Sequence, residues 1–591
     1  MNNTSIADAS LTFPVAAQND PKVFFDVPLP VRVPGLSPLQ KLYSVLPAIT
    51  YPESFAAAAL EALDITVRTQ GESLDVLPAS GPVLLAANHP FGGAEGLVVA
   101  ALCARARPDL KILANRALYS IPELRPMLIP VDLFAKADDS ADNISGLRDA
   151  LRHLESGGAL AAFPSGVVSR RDMRRYRVAD PAWHSLAGRL ARTAGTTVVP
   201  LYFEGRNSLL FQVGLHPALR TAPLPREIWR MRGHGIRMHV GKAITPEVLS
   251  ALRDDEARTA HVRACCHAPA RVNAGAVRNW RVPVALPRER TPLLDEIAEL
   301  PARRTLATEG PFRVFLMDGN EASHMLYEIG RLREKTFRAV HEGSGKRLDL
   351  DPFDPHYLHL VLWDKNAGMV AGSYRARCFS PSEVPGALKT LYTASLFKFQ
   401  QEFFERCGPS MELGRAFVRQ EYQRGHAPLS TLWKGIGRLA AMSGTRTLFG
   451  PSSIGFGYAP ESMLMLRQHL EERHFAPELA VLAQGRRAPA SFSGPNMPDA
   501  RGLEYKTLDR AVRGLEGDKG LPVLFKLYLQ LGGRIAAFHE DHAFSTLDAL
   551  LIVDLPTAPE KQLLRYMGED SVQMLRKQTP CGYSANVQGN T

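Results

Sequence analysis

Cysteine is scarce in this chain of 591 residues, with six in all, at Cys103, Cys265, Cys266, Cys378, Cys407 and Cys581. Their spacing forms neither a disulfide framework nor a zinc pattern, which points to a reducing cytoplasm and to no metal site. No stretch reaches the roughly eighteen uninterrupted apolar residues of a membrane span. The first thirty residues, with Asp8, Asn19, Asp20 and scattered prolines, lack the continuous apolar core of a signal peptide. No internal repeat is present. No nucleic-acid motif accompanies the basic charge, so no nucleic-acid partner is expected.

What is present is bulk and charge. With 45% hydrophobic and 22% charged residues the chain can fill two or more sizeable cores. A net charge of +10 implies attraction to polyanions. The basic residues cluster beside aromatic and apolar ones, in Arg170–Arg177 and in Arg226–Arg232 around Trp229, a mixture suited to an anionic membrane surface. A solvated basic face whose Arg stems cover apolar surface is the alternative.

Composition divides the chain. Residues 1–50 are Pro-rich and read as an extended arm. Strand-like and helix-like segments alternate over 51–267, an α/β layer pattern. Residues 268–311, with Pro269, Pro283, Pro287, Pro292 and Pro301 among charges, read as a linker. A second block spans 312–556, and a tail of 557–591 starts with a short helix over Glu560–Lys577. The expected fold class is α/β in two domains.

In the first block, Asn88-His89-Pro90-Phe91-Gly92-Gly93-Ala94-Glu95 follows the apolar run Val83–Ala87. A histidine at the end of a buried strand, then a glycine-permitted turn and a carboxylate, has the layout of a general base with its orienting acid. Phe163-Pro164-Ser165-Gly166 follows a second apolar run, and Val198-Val199-Pro200-Leu201 comes later. This series resembles the glycerolphosphate and lysophospholipid acyltransferases, whose signatures read Asn-His-x4-Asp, Phe-Pro-Glu-Gly and a late apolar-Pro strand. The resemblance implies His89 and Glu95 as catalytic residues and Asn88, Ser165 and Gly166 as substrate-binding ones. Here the acid is Glu and lies one residue later. Ser165 stands where the family has Glu near its glycerol-phosphate acceptor, so a different acceptor is expected. Ser165 is not read as a nucleophile, because the Gly-x-Ser-x-Gly elbow is missing.

The second block reads as a helix through Tyr327–Phe337, an acidic turn Asp349–Asp354, a hairpin over His359–Asp364 and Met369–Arg377, a strand Met411–Val418 and an apolar-faced helix Pro428–Ala441. Taken residue by residue, an Arg–Glu pair on a strand is ordinarily a salt bridge, the aspartates are turn formers, and His359 is a core histidine. The ordered series resembles the GNAT-like N-acyltransferases that draw acyl chains from acyl carrier protein, the acyl-homoserine-lactone synthases and more closely the ornithine lipid synthases. By that resemblance Arg333, Phe337, Asp351, Asp354, Arg375 and Arg415 bind substrate and Glu412 is catalytic. His341-Glu342-Gly343 stands where the lactone synthases carry an aromatic. In a regular strand Glu412 and Arg415 face opposite ways, so their cooperation requires a bulge. Gln423–Ala427 is only a degenerate pyrophosphate loop, which favours an acyl carrier protein thioester over coenzyme A as donor, with no tightly bound cofactor.

Together the two resemblances imply a bifunctional ornithine lipid synthase, peripheral on the inner face of the cytoplasmic membrane. Its C-terminal domain would N-acylate ornithine with a 3-hydroxyacyl chain, and its N-terminal domain would O-acylate the resulting lyso-ornithine lipid. Three alternatives stand beside this: an aminolipid built on glycine, lysine or glutamine, a non-enzymatic membrane-perturbing protein of the hemolysin kind, and a fusion with one inactive half.

Overall fold

Five consecutive buried residues, Val83–Ala87, form a strand hydrogen-bonded in parallel on both sides, and their burial requires layers on both faces of the sheet. The computed structural model that shows this describes residues 36–577 except 47–48, 132–140, 173–176, 194, 209–210, 212–223, 275–281, 322–323, 424, 490–495 and 518. The described residues divide into two compact units. The first is built from those up to Ala274 together with Leu464–Leu466 and those within 492–520, and the second from the remainder.

The first unit holds a seven-stranded sheet. Its strands are β1 (Thr66–Gly71), β2 (Val83–Ala87), β3 (Lys111–Asn115), β4 (Leu128–Val131), β5 (Ala159–Ala162), β6 (Thr197–Glu204) and β7 (Gly235–Val240). The order is β1-β7-β6-β2-β5-β3-β4, parallel throughout except for the β6–β7 pair. Helices α1 (Leu36–Val45), α2 (Pro52–Ala62) and α3 (Ala94–Ala106) contribute to one core, and α4 (Asp255–Ala274) packs against β6.

Two parts of this unit differ from the sequence expectation. Part of the stretch read as an extended arm is α1, whose Leu39 and Tyr43 are buried in the core. A helix from late in the chain, Tyr505–Glu516, buries Leu508, Ala511, Val512 and Leu515 and packs against α4 and the helix Pro246–Ala251. Ion pairs Arg253–Asp499 (3.4 Å) and Arg510–Glu247 (3.7 Å) accompany it.

The second unit is built on eight strands. These are β8 (Thr305–Glu309), β9 (Phe312–Asp318), β10 (Leu358–Asp364), β11 (Met369–Phe379), β12 (Ser410–Val418), β13 (Thr447–Gly455), β14 (Arg534–Asp541) and β15 (Thr546–Asp554). The order is β8-β9-β10-β11-β12-β13-β15-β14, with one parallel junction, β12–β13. Strand β8 comes from the stretch read as a linker and pairs with β9. Helices α5 (His324–Arg338) and α6 (Ala427–Ser443) match the predicted ones closely. The tail helix is broken in two at Gly568, whose φ of 79° ends the first piece at Met567.

The parallel junction is short. Register runs only from Ser410↔Thr447 to Glu412↔Phe449, although both strands continue. At the point of parting Gly450 is required, since a Cβ there would lie 2.1 Å from the Leu413 carbonyl oxygen. The required bulge is also present. The β11–β12 register shifts between Ser373↔Phe417 and Arg375↔Gly414, and Arg415 within it has φ 49°.

Candidate active sites

In the first unit the chain leaves β2 at Ala87 and turns into α3 through Gly92, whose φ of +86° only glycine adopts readily and whose added Cβ would meet Leu224 at 2.4 Å. The turn is tied down by Glu95, fully buried in the first helical turn. Its Oε1 accepts from the N–H groups of Phe91 (2.9 Å) and Gly92 (3.0 Å), and Oε2 from Gly93 (3.0 Å). The same Oε1 lies 2.9 Å from Nδ1 of His89, so the longer glutamate arm reaches across the longer turn. Burial lowers the basicity of the His89 imidazole, but the Glu95 carboxylate and, to a smaller extent, Asp180 outweigh it and leave its pKa above the ordinary value. Glu95 in turn is held in its charged form against burial by His89 and the backbone donors.

His89 borders a cavity of about 630 Å³, in the size range of small-molecule sites. The walls are mostly apolar and include Leu39, Phe55, Leu97, Met127 and Leu128. Phe163 stacks on the His89 ring, with centroids 4.7 Å apart. A base-capable imidazole, an orienting carboxylate and a largely apolar cavity suit proton removal from a hydroxyl on an acyl-chain substrate.

In the second unit the polar residues from four separate segments meet in one alternating chain of charge. Arg333 donates to Asp354 (2.8 Å), Asp354 and Asp351 both accept from Arg375 (3.1 and 2.8 Å), and Asp351 and Asp349 face Arg415 (3.4 and 3.2 Å). Burial of Asp354 would raise its pKa, yet Arg333 and Arg375 hold it well below the usual carboxylate range. His359 donates no charge here, since burial and the neighbouring Arg333 push its pKa down to about 3 while its Nδ1 accepts from Arg333 at 3.1 Å. The Arg415 guanidinium lies 4.5 Å from the ring centroids of both Tyr392 and Phe544, and Phe544 packs edge-on against Phe337 at 5.3 Å.

Beside Arg415 stand two carboxyls of another kind. The Glu342 carboxyl makes no hydrogen bond among the described residues, lies against Gly455 at the end of β13, and is raised to about 8 by burial and the charge of Asp548. Asp548 accepts from the Ser453 hydroxyl at 2.6 Å and is raised to about 6, again chiefly by burial.

A family model described as acyltransferase matches residues 44–255, and one described as acetyltransferase (GNAT) domain matches residues 332–434. The chain is 30% identical over 243 residues to a glycine N(alpha)-acyltransferase of Bacteroides thetaiotaomicron, covering 38% of this chain and 71% of that protein. This chain belongs to the aminolipid acyltransferase family. This aminolipid acyltransferase is also 28% identical over 252 residues to an L-ornithine N(alpha)-acyltransferase of Rhodobacter capsulatus, covering 39% of this chain and 86% of that protein. To a lyso-glycine lipid O-acyltransferase of Phocaeicola vulgatus it is 30% identical over 162 residues, 27% of this chain, and it spans about half (53%) of that relative's length. The chain is an enzyme with an N-terminal acyltransferase domain and a C-terminal GNAT domain, which sets aside the non-enzymatic alternative.

Three of the predicted site residues, two expected to bind substrate and one, Glu412, expected to be catalytic, are committed to the protein itself. Asn88 exchanges two hydrogen bonds with the Phe203 backbone (2.9 and 2.6 Å), clamping β2 to β6, because the strand end leaves its amide pointing inward. Ser165 donates to the Val167 carbonyl (2.8 Å) and is buried, whereas neighbouring Gly166 borders the cavity. Glu412 is 1% exposed and holds the Tyr357 hydroxyl with one oxygen and Thr393 N–H with the other (2.7 Å), so it braces the segment around Tyr392 instead of facing an open acceptor. Burial raises its pKa, opposed by those bonds.

Tyr357 and Tyr392 carry no sequence signal beyond their residue type, whereas Asp349 opens the acidic turn and Glu342 stands at the position of the missing aromatic. Of the basic clusters, residues 173–176 and the side chains of 170–172 lie outside the described residues. Trp229 packs partly into the core with Arg232 5.4 Å above its ring, while Arg226 and Arg230 are exposed. Among the described residues no helix is long and apolar enough to cross a membrane.

Proposed function

We propose that this enzyme builds a diacylated amino-acid lipid in two steps, with ornithine as the first amino acid. In the C-terminal domain the α-amine attacks the thioester carbonyl of a 3-hydroxyacyl-acyl carrier protein. The C–N bond forms, the C–S bond breaks, and the amine proton leaves as the thiolate of the carrier is released to be protonated. Glu342 takes the amine proton, a role its unpaired carboxyl and raised pKa suit better than the fully engaged Glu412. The amides of the phosphopantetheine arm pair with the strand edges left open where β12 and β13 part.

In the N-terminal domain His89 removes the proton of the 3-hydroxyl, whose oxygen attacks a second acyl thioester with loss of another thiol. The acyl chain occupies the cavity beside the imidazole. The observation that carries the reading is the apolar cavity ending on a His–Glu pair in a chain that also carries a GNAT domain. Substrates of that kind favour a peripheral enzyme on the inner face of the cytoplasmic membrane.

Glycine is the second reading, favoured by the 30% identity to the glycine enzyme. The test is mass spectrometry of products from purified enzyme with 3-hydroxyacyl-acyl carrier protein and ornithine, glycine, lysine or glutamine in turn. Lyso-lipid from ornithine at the highest kcat/KM is expected. Preference for glycine would replace the ornithine reading, and no N-acylation of any of the four would end both.

A further inference from the structure

His89 is held from a second side that neither motif announces. Its backbone N–H donates to Asp180 Oδ1 (3.3 Å), and its carbonyl accepts from Ser169 N–H (2.8 Å), while the Ser169 hydroxyl closes the loop onto the same Asp180 oxygen. The other oxygen of Asp180 accepts from the Trp183 indole N–H at 3.0 Å. Asp180 and Trp183 are 4% and 3% exposed, so water does not replace these bonds.

Trp183 is itself clasped. Its N–H donates to Asn496 Oδ1 (2.7 Å) and its carbonyl accepts from Asn496 Nδ2 (3.2 Å), a two-bond contact between residues 313 apart in sequence. Asn496 has φ 54°, a conformation that asparagine tolerates better than most residues, and it lies in the late segment that packs within the first unit.

We infer that Asp180 is a positioning residue for His89, and that Asn496, from within the sequence of the C-terminal half, holds it in place through Trp183. The inference rests on the reading of His89 as the base for O-acylation. The charged and titratable groups around the pair are Glu95 from α3, Arg263, Cys266 and His267 from α4, and His184 and Arg189 at the cavity. Among them Asp180 and Glu95 are the anions, and both favour the imidazolium.

The test uses the full-length enzyme with N-(3-hydroxypalmitoyl)-ornithine or N-(3-hydroxypalmitoyl)-glycine as acceptor and palmitoyl-acyl carrier protein as donor, followed across pH. Asp180→Asn keeps the shape and removes the charge. Its plateau kcat is expected to fall about 10–100-fold, as misplacement of a base does, and the acid limb of the profile to move to lower pH, with KM for the acceptor little changed. Asn496→Gly keeps the left-handed backbone and removes the clasp. It should move the limb the same way with a fall of about 3–10-fold, while N-acylation stays at the wild-type rate.

A role in stability alone would lower the melting temperature without moving the limb, and that result overturns the inference, as does wild-type kcat in both folded variants. If Asp180→Asn does not fold, Asn496→Gly decides alone. Activity surviving in His89→Ala would instead refute the base reading beneath it, so the two failures are distinguishable.

Discussion

The N-terminal site keeps its charge sparse and the C-terminal site packs it densely. Around His89 one buried carboxylate faces the imidazole and collects three backbone N–H groups, and most of the rest of the wall is apolar. Around Arg375 three arginines and three aspartates alternate in a buried chain. On the proposed function, the difference follows from the acceptors. A hydroxyl must lose its proton as it attacks, so one tuned base in a water-poor pocket does most of the chemistry. An amino acid brings its own charges, and a rigid frame is needed to hold the few side chains that meet it. Within that frame the informative carboxyls are the ones left out of the pairing, Glu342 and Asp548.

The comparison breaks most sharply at His89. His89→Ala should lower O-acylation about 10²–10⁴-fold with N-acylation intact, so monoacylated lipid accumulates in lipid extracts. Normal diacylated product would show that the sparse site has another base.

Next in size is Asp354→Asn, which strips two buried arginines of a shared partner. Breaking such a pair costs about 3–5 kcal/mol, and loss of N-acylation should occur at clearly lower urea. The sign with pH is fixed by the depressed carboxyl: the stabilisation is present above the unfolded value of about 3.9 and disappears as pH falls through the lower folded one. An unchanged urea midpoint would mean the dense network is no frame.

A paired measurement separates brace from base. Glu412→Gln can satisfy only one of its two present donors, at a cost of about 1–3 kcal/mol, and should leave the pH profile of N-acylation in place. Glu342→Gln should leave stability near wild type, reduce the rate about 10–100-fold and abolish the rise in rate with pH through about 8. If the two variants exchange phenotypes, Glu412 is the base after all.

The smallest effect per residue is expected at the surface of the sparse unit. Replacing Arg226, Arg230 and Arg232 by Ser should weaken sedimentation with anionic vesicles by about 1 kcal/mol per residue at low salt, and by less at 0.1 M, where screening acts within about 10 Å. Unchanged sedimentation would leave these arginines as a solvated face.

Much of this was legible because it is local. The runs His359–Asp364 and Met369–Arg377 about a polar turn announce the hairpin, and the period of two made a bulge necessary if Arg415 was to join Glu412's neighbourhood, where the register does shift. Residue type and order also identified the members of the arginine–aspartate chain other than Asp349. Direction and partnership were not legible. Nothing around Asn88 or Ser165 tells that their polar atoms turn back onto Phe203 and Val167, and Glu412's engagement depends on Tyr357 and Thr393, which only the folded sheet brings beneath it. Pro38 and its proline-rich surroundings masked the helix Leu36–Val45, a proline being tolerated in a first turn. The partnership between Asn496 and Trp183 has no local pattern at all.

That late segment also sets a clock. The first unit runs to Ala274 but is completed by residues near Asn496 and by the helix ending at Glu516, about 220 residues further on to Asn496 (496 minus 274). At synthesis rates of about 5–20 residues per second, Asn496 follows Ala274 by about 10–45 s, and the His89 turn waits at least that long for its clasp. The His89 site is therefore among the last parts of the enzyme to be finished, although its histidine is among the first residues made.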